Sequence, residues 1–314
     1  MLAGTIRLMT IDFAAAETFL DTHARLLDRH RLRLLLGVGD EQAAVSALLG
    51  YRNADGGFGN GLEPDLRARH SQPACALHAF EVFADIAPAR SVHAARLCDW
   101  LAGVTLADGG LPFALPVANP AGCAPFWLAA DPNRSSLQIS AIVAANAHRV
   151  ARHDPEVAAH PWLARVTDYC ESAIRAVRDG SPHAIELAFA VRFVDELHAG
   201  APARAEELLA PLARHIPADG LVHVRGGTEE EFMRPLDFSP LPGMPSRELF
   251  GSGIVEAELD ALARRQQSDG GWPVDFASYS PAARLEWRGY ATVQAVWLLR
   301  GNGLLPRSPQ RASG

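Results

Sequence analysis

The chain has 314 residues, of which 48% are hydrophobic and 21% are charged, and its formal net charge at pH 7 is −7. No apolar run reaches the roughly 18 residues that a membrane-spanning helix needs, and an acidic chain with scattered arginines is a poor partner for nucleic acid. The first dozen residues lack the apolar segment of a secretory signal, so we expect a cytoplasmic protein without a membrane span. Peripheral contact with a membrane and the oligomeric state stay open.

The first 40 residues are predicted to form a helical segment that packs on the rest of the chain, with one long helix from Phe13 to Leu36. Residues 41–305 are predicted to form a single helical domain, and residues 306–314 a flexible C-terminal tail. Two kinds of helix alternate in that domain. Helices with one apolar and one charged face are predicted at residues 41–52, 204–214 and 254–266. Helices that are apolar on nearly all sides are predicted at residues 73–86, 136–147, 183–194 and 290–299.

A turn motif of Asp-Gly-Gly followed by an aromatic residue stands between the two kinds of helix. It reads ADGGF at Ala54 to Phe58 and SDGGW at Ser268 to Trp272. Weaker copies are ADGGLPF at residues 107–113, ADGLVHV at 218–224 and RDGSPH at 178–183. Aspartate accepts hydrogen bonds from the backbone after it, and glycine adopts positive φ without steric cost. We therefore predict repeated turns, each sealed onto the core by its aromatic residue.

The alternation of half-buried and fully buried helices predicts the fold. If each repeat contributes one outer and one inner helix, the chain forms two concentric rings. We therefore predict an all-α protein, an α/α toroid of about five to six helix pairs.

The four cysteines, Cys75, Cys98, Cys123 and Cys170, are widely spaced and include no C-x-x-C pair. This spacing favours isolated buried thiols over a disulfide framework or a zinc site. The sequence also lacks a Walker sequence, an H-E-x-x-H motif and a G-x-S-x-G motif. We expect neither a metal ion nor a cofactor.

The unit from Gln266 to Trp272, with its preceding amphipathic helix, resembles the QW-type repeat of the terpenoid cyclase and protein prenyltransferase superfamily. The segment from Asn53 to Phe58 is similar, and the resemblance extends over about residues 40–300. It implies an α/α toroid like that of squalene–hopene cyclase. It further implies an enzyme that acts on an isoprenoid or similar small hydrophobic substrate in a central apolar cavity.

The chain departs from that superfamily in its catalytic motifs. The Asp-x-Asp-Asp acid motif of the protonating cyclases is absent, and EPD at residues 63–65 is the nearest substitute. The Asp-Asp-x-x-Asp magnesium motif of the ionising synthases is absent too. Similar helix pairs and turns occur in polysaccharide lyases and glycoside hydrolases, so a carbohydrate-processing enzyme is one alternative. A noncatalytic binding or scaffold protein is the other.

In a toroid, the loops that precede the inner helices meet at one mouth, and here they are rich in carboxylates and arginines. The candidate catalytic residues are Glu63, Asp65, Asp237 and Glu286. The candidate substrate-binding residues are Arg67, Arg288, Trp287, Trp127, Phe58 and Trp272. A carboxylate here can serve as a general acid, an arginine can orient it or bind an anion, and aromatic rings can stabilise a cation. The alternative is that the charged pairs only hold the loops together.

Overall fold

A computed structural model describes residues 11–177 and 182–304. These residues form fourteen α-helices, one 3₁₀ helix at Pro245–Leu249 and one two-stranded antiparallel sheet, so the prediction of an all-α protein is confirmed. In chain order the α-helices are α1 (Phe13–His23), α2 (Leu26–Leu35), α3 (Glu41–Leu49), α4 (Pro73–Asp85), α5 (Val92–Val104), α6 (Pro125–Leu128), α7 (Leu137–Ala151), α8 (Pro155–Ala158), α9 (Pro161–Arg175), α10 (Ala184–His198), α11 (Pro202–Ala213), α12 (Pro235–Phe238), α13 (Ser252–Arg264) and α14 (Pro281–Gly301). The strands are β1 (Val222–His223) and β2 (Phe232–Met233), with Val222 opposite Met233. The predicted tail at residues 306–314 lies outside the described residues.

The single long N-terminal helix was a wrong prediction, because the chain leaves the helical conformation at Ala24 and Arg25. Both residues have extended backbone angles. The Arg25 guanidinium donates a hydrogen bond of 2.8 Å to the carbonyl oxygen of Leu62 and pairs with Asp28. Because of this break, α1 and α2 pack as separate helices: α2 contacts α3, α4 and α14, and α1 contacts α14.

Five helices, α2, α4, α7, α10 and α14, contact one another in a continuous series, and we call them the core helices. Contacts join them in the order α14, α2, α4, α7, α10. Every residue from Pro73 to Phe83 in α4 is buried, and the small residues Ala141, Ala144 and Ala145 of α7 allow close approach of its neighbours. The predicted burial of these two helices on nearly all sides is confirmed.

The remaining long helices, α1, α3, α5, α9, α11 and α13, are amphipathic and expose one face. In α3 the buried residues are Ala44, Val45 and Leu48, whereas α13 buries Val255 and Leu259. Their spacing of three to four residues is that of one helical face, so the prediction of half-exposed helices is confirmed.

The Asp-Gly-Gly turns share one hydrogen-bond pattern. In each, the Oδ1 atom of the aspartate accepts a hydrogen bond from the backbone N–H two residues later. These pairs are Asp55 with Gly57 (3.0 Å), Asp108 with Gly110 (3.1 Å), Asp219 with Leu221 (3.0 Å) and Asp269 with Gly271 (3.1 Å). The glycine after each aspartate has positive φ, between 71° and 97°. The predicted turns are confirmed at these four places, and most of the candidate at residues 178–183 lies outside the described residues.

Three of these turns pack on an amphipathic helix in the same way. The first glycine lies against the helix backbone, as Gly56 does at Arg96 of α5, Gly109 at Arg165 of α9 and Gly270 at Ala15 of α1. The second glycine lies against an aromatic ring of that helix: Trp100, Tyr169 and Phe19. Gln266 adds two hydrogen bonds to the backbone of Asp12, which is 254 residues away in the sequence. The last turn therefore contacts α1 as the first turn contacts α5.

The four cysteines are free and buried, as predicted from their spacing. Within the described residues, no helix combines the length and the apolar character needed to cross a membrane.

Candidate functional site

Five of the predicted site residues come together where the loop after α3 meets the start of α14. We call Glu63, Asp65, Arg67, Glu286 and Trp287 the loop-end cluster. The Trp287 indole N–H donates to Asp65 Oδ2 at 2.6 Å, and the Arg67 guanidinium pairs with the Glu286 carboxylate. The backbone N–H of Asp65 donates to Glu63 Oε1 at 3.2 Å. The cluster thus unites residues that are more than 200 positions apart in the sequence.

Two glycines make room for Arg67. Gly61 and Gly122 both have positive φ, and a Cβ atom on either would contact the Arg67 side chain. The Arg67 side chain therefore lies against both glycines on its way to Glu286, and their lack of a side chain leaves space for it.

Asp65 is almost completely buried, and two donors hold its carboxylate. Trp287 donates to one oxygen, and the backbone N–H of Tyr279 donates to the other at 3.1 Å. Burial raises the pKa of Asp65 above its usual value, although the two N–H donors oppose this shift and Glu63 adds to it. Asp65 is thus a positioned carboxyl group with an increased affinity for a proton.

His78 lies behind the cluster between two carboxylates. Its Nε2 atom is 3.0 Å from Glu63 Oε2, and its Nδ1 atom is 3.5 Å from Glu81 Oε2. Burial alone would lower the pKa of His78, but hydrogen bonds and charge interactions with Glu63 and Glu81 outweigh burial and raise it. The arrangement favours an imidazolium in the interior of the protein.

Glu81 connects the His78 ion pair to partners deeper in the core. The Tyr290 hydroxyl donates to Glu81 Oε1 at 2.8 Å, and Arg31 donates to Glu81 Oε2 at 3.1 Å and to Asp85 at 2.7 Å. Burial would raise the pKa of Glu81, but Arg31 and the other donors outweigh it and lower the pKa to about 2. We call His78, Glu81, Arg31, Asp85 and Tyr290 the buried polar network.

The local sequence patterns do not predict this network as a whole. Its signal was present in α4, where His78 and Glu81 interrupt an otherwise apolar helix at a spacing of three residues. Polar residues on a helix that is buried on all sides require hydrogen-bond or ion-pair partners inside the protein, so their presence predicts a buried network. The partners Arg31 and Tyr290 come from distant segments, which local sequence patterns do not reveal.

Exposed aromatic rings lie beside Asp65. Phe126 is 48% exposed and Tyr279 is 42% exposed, and their ring centroids are 5.8 Å apart. Asp65 is bonded to both segments, because its carboxylate accepts the Tyr279 N–H and its carbonyl oxygen accepts the Ala124 N–H at 2.8 Å. Trp127, a predicted substrate-binding residue, stacks on Phe113 at 4.6 Å next to Phe126.

Asp237 and Arg288 lie outside the loop-end cluster. Asp237 is exposed on α12, and its carboxylate accepts the backbone N–H of Arg234 at 2.7 Å. Arg288 forms two hydrogen bonds, of 2.9 and 2.8 Å, to the carboxylate of Asp269 in the last turn, and it lies over the ring of Phe19. In this arrangement Arg288 fastens a turn.

Phe58 and Trp272 belong to the core. Phe58 is completely buried with its ring 6.3 Å from that of Phe83, and Trp272 donates its indole N–H to the Leu262 carbonyl oxygen at 2.8 Å. Both residues seal their turns, and neither lines a hollow described below. Their geometry supports the sealing role predicted for the turn motif and offers no contact surface for a substrate.

Two hollows in the described part of the chain lie toward the C-terminal ends of the core helices, and both are small. They have about 290 and 250 Å³ of empty space, including the solvent at their mouths. Arg149, Arg192 and Trp297 line both of them, so we treat the two as one feature, the arginine groove. Charged residues line both hollows, so neither is the central apolar cavity that the resemblance implies.

Within the described residues, no three histidine, cysteine or carboxylate side chains are grouped as a metal site. The arrangement that remains is a positioned carboxyl group, a set of buried proton-binding side chains behind it and an aromatic surface beside it. Comparison with models of protein families and with curated proteins found no match to this chain.

Proposed function

We propose that the helices form an α/α toroid of six helix pairs: α1/α2, α3/α4, α5/α7, α9/α10, α11/α12 and α13/α14. Two observations support a closed ring. The core helices contact one another from α14 through α2 to α10, and the last turn packs on α1 as the first packs on α5. In this arrangement α12 is a short inner helix between α10 and α13, which it contacts. The boundaries proposed for the helical domain extend accordingly to include α1 and α2.

In this proposal the protein is an enzyme that uses acid–base catalysis at the loop-end cluster. The observation that carries it is Asp65, a buried carboxyl group with a raised pKa that is bonded to both segments bearing the exposed rings. A carboxyl group whose pKa is shifted toward neutrality exchanges a proton with substrate more readily. Because Trp287 and Tyr279 hold its two oxygens, its position relative to a bound molecule is fixed before binding.

The substrate of this proposal has a hydrophobic part that packs on Phe126 and Tyr279. Arg67 and Glu286 lie close by and are partly exposed, with 29% and 19% of their side chains accessible, so they can contact a polar part. A terpenoid-cyclase-like reaction of an isoprenoid is the narrower form of this proposal. Since the two hollows of the arginine groove are small and lined by charged residues, such a substrate would bind at the loops, beneath which Asp65 lies.

A noncatalytic binding protein is the second candidate, and one observation favours it. The charged residues of the loop-end cluster already have internal partners: Asp65 has Trp287 and Tyr279, and Arg67 has Glu286. Such pairs hold loops together without chemistry. The aromatic surface of Phe126 would then bind a ligand that leaves unchanged.

The test is a turnover assay on two panels, one of isoprenoid alcohols and diphosphates and one of neutral and acidic oligosaccharides, with products followed by mass spectrometry. Phe126→Ala removes the exposed ring, and its matched control is Val92→Ala on α5, where an exposed apolar side chain is far from the site. Asp65→Asn removes the acid. Its control is Asp154→Asn, because Asp154 is a buried carboxylate that accepts two backbone N–H groups at the start of α8.

We expect a compound from one panel to be consumed by the wild type and by both controls, and not by Asp65→Asn at a temperature where all variants are folded. Phe126→Ala should raise KM more than it lowers kcat. Binding without consumption supports the second candidate. Equal loss of turnover in Asp65→Asn and Asp154→Asn would contradict the catalytic role of Asp65.

A further inference from the structure

We propose that the arginine groove is an anion site for a small molecule with a carboxylate or phosphate group on a planar or apolar body. The groove is formed by Arg149 of α7, Arg192 of α10 and Trp297 of α14. It lies toward the C-terminal ends of the core helices, whereas the loop-end cluster precedes α4 and opens α14. The inference therefore concerns a second site and does not depend on the function proposed for the first.

Arg192 is the main reason. It is half-buried, and within residues 11–177 and 182–304 no hydrogen bond or close ion pair reaches its guanidinium. Asp195 and Asp237 attract it at longer range. A guanidinium has five N–H donors in a planar fork that matches a carboxylate or a phosphate. Arg192 thus presents unused donors to the groove.

The carboxylates that line the groove are already engaged. Arg31 binds Glu81 and Asp85, with side chains that are at most 6% exposed. The Asp195 carboxylate accepts the backbone N–H and the hydroxyl of Ser246. Glu196, the fourth carboxylate of the lining, pairs with Arg152, so all four have closer partners than Arg192. An external oxyanion would therefore meet a guanidinium that no carboxylate of the groove binds at close range.

Arg149 supplies a second positive charge with weak internal partners. Its Nη1 atom is 3.3 Å from Asn146 Oδ1, and its Nε atom is 4.0 Å from Glu196, which pairs more closely with Arg152. The guanidinium lies 5.4 Å from the centroid of the Trp297 ring. The Trp297 ring therefore attracts the Arg149 guanidinium, and both side chains line the groove.

The partial negative charge at the C-terminal end of a helix is a competing reason for arginines in this region. It accounts for Arg149, which stands in the last turn of α7. It does not account for Arg192, because α10 continues for six residues to His198 and the effect is confined to the last turn.

The size and the walls of the groove define the ligand. Its two hollows, of about 290 and 250 Å³ including the solvent at their mouths, have room inside for little more than the oxyanion itself, so the body of the ligand would lie at the mouth. Trp297, Pro240, Leu241 and Met244 supply the apolar part of its lining. A small aromatic or aliphatic acid, or its phosphate ester, fits this combination.

Isothermal titration calorimetry on the full chain with four probes tests the proposal: benzoate, phenyl phosphate, acetate and inorganic phosphate, all at constant ionic strength. We expect benzoate or phenyl phosphate to bind with Kd between about 10 μM and 1 mM and more tightly than its counterpart without a ring. The stronger of the two identifies the oxyanion as carboxylate or phosphate. Trp297→Leu should reduce the advantage of the probes that contain a ring.

The variants separate this site from general attraction of anions. Arg192→Gln should weaken binding at least tenfold, and Arg192→Lys should restore part of it because it keeps the charge without the fork. Arg96→Gln on α5 is the matched control, since it removes an exposed arginine remote from the groove. Arg149→Gln gives an independent test if Arg192→Gln melts early. The proposal is overturned if no probe binds below 10 mM, or if Arg192→Gln and Arg96→Gln have the same effect.

Discussion

The loop-end cluster and the arginine groove differ in how their charged side chains are paired. In the cluster each charged side chain has an internal partner: Asp65 binds Trp287, Arg67 pairs with Glu286, and Glu63 binds His78. In the groove the carboxylates are engaged while Arg192 has no close partner in the described part of the chain. Saturated pairs fix geometry before a ligand arrives, whereas an unused donor provides affinity when one does. The two proposals follow from this difference: the loop-end cluster positions its carboxyl group, and the arginine groove binds an anion.

The buried polar network lies between the two regions and touches both. His78 contacts Glu63 of the cluster, and Arg31, Glu81 and Asp85 line the groove. Such a network is stabilising only while every member keeps its partners, because a single unpaired buried charge is costly. The largest effect on stability is therefore expected here.

Replacing Arg31 with methionine should lower the free energy of unfolding by about 3–5 kcal/mol, because it leaves Glu81 and Asp85 buried without their cation. The matched control is Arg29→Met on the same helix. Arg29 pairs with Asp21 where both side chains are about one-third exposed, so the expected loss is at most about 1 kcal/mol. Urea unfolding measures both variants. Similar losses would show that the network is not a buried charge cluster.

The pairs in the cluster also show what the sequence can and cannot predict. The helices, the turns and the position of the charged loops follow from local patterns: the period of apolar residues, aspartate before glycine, and charge before each apolar helix. Which charged side chains pair does not follow from local patterns, because it depends on contact between the loop after α3 and the start of α14. Glu286 lies two residues before Arg288 in the sequence, yet Glu286 pairs with Arg67 and Arg288 with Asp269.

The N-terminal helix shows this limit most clearly. The helix predicted from Phe13 to Leu36 is interrupted at Ala24 and Arg25, and Arg25 donates a hydrogen bond to Leu62, which lies 37 residues away. This contact forms only after folding, so the local pattern of apolar residues does not predict it.

Asp65→Asn tests whether the two hydrogen bonds to the Asp65 carboxylate stabilise the loop-end cluster. An asparagine has one acceptor oxygen where the carboxylate has two, so either Tyr279 N–H or Trp287 Nε1–H would face an amide group. We expect the free energy of unfolding to fall by about 1–3 kcal/mol, the cost of a buried donor without an acceptor. Chemical denaturation followed by tryptophan fluorescence measures it. An unchanged stability would mean that the two hydrogen bonds do not hold the carboxylate.

The pH dependence of stability tests the network that joins the two regions. The pKa of His78 is raised on folding, so its contribution is complete below the unfolded value near 6.5 and is lost as the pH rises through the higher folded value. Glu81 acts oppositely: its folded pKa of about 2 gives stability above the unfolded value of 4.5 that is lost on acidification.

From these two groups the free energy of unfolding should be greater at pH 6 than at pH 8, by about 1.4 kcal/mol for each unit by which the His78 pKa is raised. His78→Gln should reduce this difference, and His70→Gln, at an exposed loop position, serves as its control. Denaturation curves at the two pH values decide the matter. A difference that persists in His78→Gln would assign the dependence to other groups.

The smallest expected effect is at Arg192, and it tests the other half of the comparison. Because its guanidinium has no close internal partner, Arg192→Gln removes no hydrogen bond and leaves no buried charge unpaired. We expect the free energy of unfolding to change by no more than about 0.5 kcal/mol in either direction, as for a surface substitution. The same urea titration measures it, with Arg31→Met as the contrasting variant in the same groove. A loss above about 1 kcal/mol would show that Arg192 supports the fold and would remove the reason for treating its donors as free to bind an anion. A small change together with weakened binding of benzoate or phenyl phosphate would instead separate the role of Arg192 from that of every charged residue in the loop-end cluster.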